Sequence, residues 1–417
     1  MWGWSADSGG IRRPVCQFET PRLEKFKKHS VTVRTHHVRG VARKWFPSRK
    51  VRLLNLMARR TRILLLLSHL GGGGAEHVVA LLARGLSQEK YEVHLGLVGQ
   101  RDRGGEPLPS WVHVHPLGAG RARAGAWPLL RLIWRLRPEV VLTGAAEVSF
   151  LVLMLRPLFP ARTSVLVRQN ATATSVMAFG RLPRFTRMLY RMLYRGSDRV
   201  ICQSRAMARD LAGAAEISAE QVAVLPNPVD LAGIRAALRA PGSERSAGLQ
   251  LLAVGRLSRE KGFDLLLQAM ATVRERFPQV KLILVGTGGE EQALKSLCRQ
   301  LGMDDAVGFA GRVDPPYAFF PRTTLFVLPS RHEGMPNALL EAAAAGLPIV
   351  ATPASGGVVD LLRGRPGTWL APEISAEALA ATLLAALNAL RPGERVSHSF
   401  FPTPGGTPQS IAVEKVR

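Results

Sequence analysis

The densest run of residues able to do chemistry is Arg331-His332-Glu333-Gly334-Met335-Pro336-Asn337, with Glu341 shortly after it. Pro336 suits the first helical position, where its missing N–H is not needed. Glu341 then lies about 7.5 Å along the helix axis, at roughly 1.5 Å per residue. Glu333 sits on the loop ahead of the helix, so the two carboxylates stand at different depths and form no side-by-side acid/base dyad. Free N–H groups across Gly334–Asn337 would offer a place for an anion or a hydroxyl. Glu341 interrupts the otherwise apolar stretch 338–345. A lone glutamate there is seldom fully buried unless something pairs with it or binds it, which favours a binding role. His332 by itself reads as a loop or packing histidine.

Three glycine-bearing segments complement this run. Gly255-Arg256-Leu257-Ser258-Arg259-Glu260-Lys261-Gly262 places two cations, Arg256 and Lys261, just ahead of a helix. A planar guanidinium fork and a point-charge ammonium suit a diphosphate; a solvated basic loop is the competing reading. Gly286-Thr287-Gly288 lets the backbone approach a ligand or simply makes a turn. Gly71–Gly74, including Gly73 and Gly74, could bring N–H groups to a phosphate at a helix start. Its spacing matches neither G-x-G-x-x-G nor a P-loop, and a tight turn competes equally. No Asp-x-Asp pair that would hold a divalent cation beside a nucleotide occurs in the chain, nor H-E-x-x-H, nor a Gly-x-Ser-x-Gly elbow. No metal and no cofactor are therefore expected.

These segments need strands and helices to present them, and the hydrophobic pattern supplies both. Ile63–Leu67 is a continuous apolar run of the kind found in buried parallel strands. Further strands are read at Tyr91–Val98, Val140–Leu142, Ser164–Val167, Val200–Ile201 and Val222–Leu225. Helices are read at Ala75–Leu86, Trp127–Leu136, Phe185–Tyr194 and Arg205–Leu211. A second alternating series runs from Leu249–Val254 to a helix over Ala376–Leu390, with Pro336–Ala345 as the helix bearing Glu341. Strand–helix alternation predicts an α/β fold with parallel sheets. Two such series imply two Rossmann-like domains facing a central cleft, with ligands at the carboxyl ends of the strands. The domain reading is a basic extension at 1–60, disordered or not native, and a first domain at 61–235. A linker follows at 236–248, small, polar and broken by Pro and Gly, then a second domain at 249–390 and an irregular tail at 391–417.

At 417 residues with 47% hydrophobic and 21% charged residues, the chain has the composition of a globular two-domain protein. Its net charge of +25 is uneven: residues 1–62 hold 16 Lys and Arg against Asp7, Glu19 and Glu24. Met57-Ala58-Arg59-Arg60-Thr61-Arg62 leading into the first strand looks like a bacterial opening. Residues 1–56 are accordingly expected to be an upstream extension of the reading frame or a dispensable tail, the alternative being a basic arm for anionic lipid. Three separated cysteines, Cys16, Cys202 and Cys298, suggest no disulfide framework and point to a reducing, cytoplasmic setting. No apolar run reaches the length of a membrane span, Val148–Leu155 being the longest candidate, and no signal peptide is evident.

The second domain, 249–390, resembles the retaining GT-B glycosyltransferases of family four, the group 1 glycosyltransferases. It carries Gly-Arg-Leu-x-x-x-Lys-Gly at 255–262, Leu-Val-Gly-Thr-Gly at 284–288, Gly-Phe-x-Gly at 308–311 and Pro-Ser-Arg-x-Glu-Gly-x-Pro-Asn at 329–337. The Glu-x7-Glu pair falls on Glu333 and Glu341, and Ala-Gly-Leu-Pro-Ile-Val-Ala-Thr follows at 345–352. The first domain resembles the family more loosely, through Gly73-Gly74-Ala75-Glu76, Ser204, Asn227-Pro228-Val229-Asp230 and Arg168-Gln169-Asn170. The last is similar to a segment of members that extend lipid-linked or cell-envelope glycans.

The resemblance implies that Arg256 and Lys261 bind the donor diphosphate, that Glu341 holds the ribose hydroxyls and Glu333 the transferred sugar. It implies that the Gly73/Gly74 loop closes over the pyrophosphate. Gly255, Gly286, Gly288, Gly334, Met335, Pro336 and Asn337 complete the donor site, and Arg168, Asn170 and Asn227 mark the acceptor side. The implied reaction moves a hexose or N-acetylhexosamine from a nucleotide diphosphate sugar, expected to be a UDP-sugar, to a glycan or lipid-linked acceptor. The sequence departs from the family in having no His at 165–170, in Asp360 where Glu is common, and in a tail without the closing helix, as a truncated or frame-shifted end would leave it. Arginines at 121–137 and 181–195 make the acceptor side basic, which suits peripheral contact with anionic lipid on the inner face of the cytoplasmic membrane; solvated helix faces are the alternative. A sugar-nucleotide epimerase on the same scaffold is disfavoured by the Glu-x7-Glu pair. A nucleic-acid-binding protein would rest on net charge alone, with 6% aromatic residues and no binding motif.

Overall fold

The computed structural model describes residues 60–398 except 72, 100–107, 119–121, 171, 174–182, 241–247 and 391–393. The basic extension and most of the tail lie outside the described residues. The first sheet holds β1 (Thr61–Leu67), β2 (Tyr91–Leu97), β3 (His113–Pro116), β4 (Val140–Thr143), β5 (Ser164–Arg168), β6 (Arg199–Cys202) and β7 (Val222–Val224). Its order is β3-β2-β1-β4-β5-β6-β7, all parallel. The second holds β8 (Gln250–Val254), β9 (Lys281–Val285), β10 (Val307–Gly311), β11 (Leu325–Leu328), β12 (Ile349–Ala351) and β13 (Thr368–Leu370), in the order β10-β9-β8-β11-β12-β13.

The first sheet is covered by α1 (Gly74–Gly85), α2 (Ala126–Leu136), α3 (Ala146–Leu155), α4 (Pro183–Tyr194) and α5 (Arg205–Ala215). The second is covered by α6 (Leu231–Arg239), α7 (Phe263–Arg276), α8 (Glu291–Gln300), α9 (Asn337–Ala344), α10 (Gly356–Leu362) and α11 (Ala376–Ala389). β1 shows why the apolar run makes a central strand: Ile63–Leu67 are all at most 5% exposed. Its alternate side chains enter two different cores, Leu64 and Leu66 on one face, Ile63, Leu65 and Leu67 on the other. In each sheet the strand order reverses, between β1 and β4 and between β8 and β11. Such a reversal opens a crevice at the carboxyl ends of the strands, where ligands bind.

The domain boundary lies earlier than its sequence reading. The first domain was expected to run to 235 and a linker to fill 236–248, but α6 continues to Arg239 and packs on the second domain. Ile234 is 1% exposed in a core shared with Leu252, Val285 and Tyr317. Asp230 caps α6, accepting the Gly233 N–H at 2.9 Å, so the chain crosses between domains over 226–230. The Glu341 helix also starts one residue later than expected: Pro336 caps it and Asn337 is its first residue. Part of the tail is ordered. Arg395 donates to the carbonyls of Phe320 and Thr323, both at 2.9 Å, and Val396 N–H donates to Gly346 O at 2.8 Å.

A cleft between the domains as the candidate active site

The carboxyl ends of both sheets line one cleft of about 730 Å³. Gly71, Gly73 and Gly74 reach it from the turn after β1, Arg168 and Asn170 from the end of β5, and Asn227 from the crossing. From the second domain come Gly255, Arg256 and Lys261 after β8, Gly286 and Gly288 after β9, and Glu333, Gly334, Met335, Pro336, Asn337 and Glu341 from the loop and helix after β11. The structure thus brings every sequence-predicted site residue to one place.

Two glycines are required by the approach of these loops to one another. Gly262 has φ +65°, and a Cβ there would stand 2.0 Å from the Pro329 carbonyl oxygen. Gly286 has φ +140°, and its Cβ would stand 1.9 Å from Gly255 O. Both conformations favour glycine. Replacing Gly262 would push the cation loop away from the segment that carries Glu333, and replacing Gly286 would push the loop after β9 away from the cation loop.

The Glu333 carboxylate is held by two donors at one oxygen, Oε1. Lys261 Nζ donates to its Oε1 at 2.7 Å and Ser330 Oγ donates at 2.7 Å. With side-chain exposures of 7% for Glu333 and 25% for Lys261, the pair sits at the mouth of a low-dielectric wall, where a charge-assisted bond is strong. Among the described residues no carboxylate pairs with Arg256, which is exposed to the cleft. Arg331, the other cation of the run, serves structure: it grips Asp264 of α7 through two bonds of 2.6 and 2.7 Å. Burial opposes the Asp264 charge, but Arg331 and the helix-start N–H groups outweigh it and hold that carboxyl below its usual range.

Glu341 is 6% exposed in α9, and its Oε1 lies 3.3 Å from His77 Nε2 of α1. That contact crosses between domains, as do several others. Asn337 donates to Gly74 O at 2.9 Å and accepts from Asn227 Nδ2 at 2.5 Å. Asn227 Oδ1 in turn accepts from Arg168 Nη2 at 2.5 Å, and Arg312 donates to Gly71 O at 3.3 Å. Arg168 is buried, and desolvation pulls its guanidinium down to about 10, so it remains a cation at neutral pH. Its hydrogen bonds go to the amide oxygens of Asn170 and Asn227.

Sequence reasoning missed His77, Arg312 and Gln203, which also line the cleft. His77 follows the Gly-Gly-Ala-Glu run directly, Arg312 follows Gly-Phe-x-Gly at 308–311 and Gln203 precedes Ser204, so each adjoins a quoted segment without being part of it. Both amide atoms of Gln203 are buried without a hydrogen-bond partner. Ser204 proves to be the N-cap of α5, its Oγ accepting the Met207 N–H at 3.1 Å. Asp360 is exposed on α10. Among the described residues no group of three His, Cys, Asp or Glu is placed to hold a metal ion, and no helix is long and apolar enough to cross a membrane.

Two family models match the chain side by side: glycosyl transferases group 1 over residues 248–389, and glycosyltransferase family 4 over residues 72–232. An uncharacterized glycosyltransferase of Haemophilus influenzae is 36% identical over 127 residues, 30% of this chain and 36% of that protein. The chain therefore spans about a third of that relative. A Campylobacter jejuni protein named N-acetylgalactosamine-N,N'-diacetylbacillosaminyl-diphospho-undecaprenol 4-alpha-N-acetylgalactosaminyltransferase is 28% identical over 312 residues, covering 70% of this chain and 80% of its own length. Among solved structures, Anabaena HepE in complex with UDP-glucose superposes with a TM-score of 0.64 at 20% identity, covering 86% of this chain and 96% of that one. At that identity the structural likeness concerns the fold.

Proposed function

We propose, for a chain that is a group 1 glycosyltransferase of GT-B fold, that it transfers a hexose or N-acetylhexosamine from a UDP-sugar to a cell-envelope glycan or lipid-linked acceptor with retention of anomeric configuration. One observation carries the reading: Arg256, Lys261, Glu333 and Glu341 open into a single cleft between two Rossmann-like domains. Arg256 and Lys261 neutralise the leaving diphosphate, the electrostatic contribution that is usually largest. Glu341 takes the ribose hydroxyls, exchanging its contact with His77 for them. Glu333, already fixed by Lys261 and Ser330, orients hydroxyls of the sugar. The glycine turn at Gly73 and Gly74 covers the pyrophosphate.

In the proposed step the bond from the anomeric carbon to the phosphate oxygen breaks as the acceptor hydroxyl oxygen bonds to the same face of that carbon. The acceptor proton passes to the departing phosphate oxygen. No protein nucleophile and no metal enter this step. The Campylobacter relative's name specifies a diphospho-undecaprenol acceptor, and HepE was solved with UDP-glucose; both support the donor and acceptor classes. The test is a proton NMR time course with an α-configured UDP-sugar and a lipid-linked or soluble glycan acceptor. The product is expected to carry an α linkage from its first appearance. An initial β product would overturn the retaining reading.

A further inference from the structure

Gln203 stands just past the carboxyl end of β6 and lines the cleft. It is 2% exposed, and neither its amide oxygen nor its amide nitrogen has a hydrogen-bond partner among the described residues. Leaving a buried amide unpaired costs free energy at both atoms. A group of this kind at the wall of a cleft calls for a ligand that completes it.

The fold fixes where that amide stands. β5 and β6 run parallel with Arg168 opposite Ile201, and β6 and β7 with Cys202 opposite Val224. Neighbouring strands lie about 4.8 Å apart, so Asn170, Gln203 and Asn227 follow the ends of three adjacent strands on the first domain's side of the cleft. Gln203 leads directly into α5, whose N-cap Ser204 is pressed against α10 of the second domain. A Cβ on Gly357 would stand 2.9 Å from Ser204 Oγ. The backbone that carries the amide is thus held from both domains.

The neighbouring polar side chains are committed elsewhere. Arg168 donates to the Oδ1 atoms of Asn170 and Asn227, Asn170 Nδ2 donates to Gly144 O, and Asn227 Nδ2 donates to Asn337 Oδ1 at 2.5 Å. Gln203 keeps both a donor and an acceptor open. That combination selects its ligand, because Nε2 donates and Oε1 accepts. A phosphate or a carboxylate would satisfy only Nε2 and set a negative oxygen against Oε1. An ammonium would satisfy only Oε1. An uncharged sugar offers adjacent groups that do both, either two neighbouring hydroxyls or an acetamido group.

We propose that Gln203 reads such an uncharged donor and acceptor pair on the acceptor sugar, and so helps to select the acceptor. This deepens the proposed transfer and rests on the reading of the first domain as the acceptor side. Its test measures binding without turnover, so the two can fail separately. With UDP saturating the donor side, the full chain is titrated by NMR with the p-nitrophenyl glycosides of glucose, galactose, N-acetylglucosamine and N-acetylgalactosamine. At least one is expected to bind, and to bind about tenfold more tightly than one of its single-deoxy or deacetamido analogues, since a site built to hydrogen-bond a group rejects a ligand lacking it. Discrimination against a deoxy analogue identifies a hydroxyl pair, and against the deacetamido analogue an acetamido group. Gln203→Met keeps an unbranched side chain without the amide. It should bind that glycoside about tenfold more weakly and lose the discrimination. Its melting temperature should equal or exceed that of the wild type, because an unpaired buried amide is removed. Gln203→Leu is a second variant with the same expectation. Wild type that binds no glycoside of the panel would overturn the proposal. So would variants that bind and discriminate as the wild type does, the result expected if the amide holds only a buried water. Loss of glycoside binding only together with a lowered melting temperature in both variants, or loss of the affinity advantage of UDP-glucose over UDP instead, would overturn it as well.

Discussion

Lys261 and Glu333 illustrate how a site residue can also be a structural one. The carboxylate is nearly buried and is shared between Lys261 and Ser330. Removing the cation alone leaves a charge facing a poorly solvated wall, a change that costs more than removing both partners. Lys261→Met should therefore destabilise the fold by about 1–3 kcal/mol, and Lys261→Met/Glu333→Gln by clearly less. Urea unfolding of both singles and the double variant checks this; strict additivity would show that the pair does not couple. Glu341 shows what sequence can and cannot reveal at this scale. A glutamate inside an alanine and leucine helix had to have a partner or a ligand, and it is buried as that reasoning required. That the near contact is His77 could not be read, because it is made by tertiary approach of the other domain. Gln203 adjoins the singled-out Ser204, but the burial of its unpartnered amide follows from where β6 ends and could not be read locally.

The elements were legible where burial is two-sided and obscure where it is not. β1 and β11 read as strands because both of their faces are covered, leaving unbroken apolar runs. β3 was missed since it is an edge strand with no buried residue in His113–Pro116, so no apolar alternation marks it. β13 lies at the opposite kind of edge and is only half-buried. α10 is short and opens on Gly356 and Gly357, residues that normally argue against a helix. α6 was partly mistaken for linker because alanine and glycine carry no period; only Ile234 is buried. The element with most leverage on the cleft is the start of α9. Its first residue, Asn337, bonds Gly74 and Asn227 at once, joining the glycine turn to the helix that bears Glu341. Asn337→Ala removes those bonds without touching the core. It should raise the KM for donor about tenfold while kcat and the melting temperature change little, in line with a loss of roughly 1–1.5 kcal/mol per hydrogen bond. Steady-state kinetics over a donor titration reads the split; a fall in kcat with KM unchanged would put Asn337 in the chemical step instead.

At the scale of the molecule, two alternating series of strands and helices were enough to anticipate two parallel sheets facing a cleft. The place where one domain passes into the other was not, since α6 belongs to the second domain by its packing while its sequence looks like a continuation of the first. The central claim is that the cleft binds and activates a nucleotide diphosphate sugar. It is tested most directly by hydrolysis of a panel of UDP-, GDP- and ADP-sugars by the wild-type chain and by Glu341→Gln and Arg256→Ala. The account predicts turnover of at least one UDP-sugar, with losses of about 100-fold or more in kcat/KM for each variant, equivalent to the several kcal/mol of electrostatic stabilisation such groups supply. No turnover or binding of any donor, or variants indistinguishable from wild type, would contradict it.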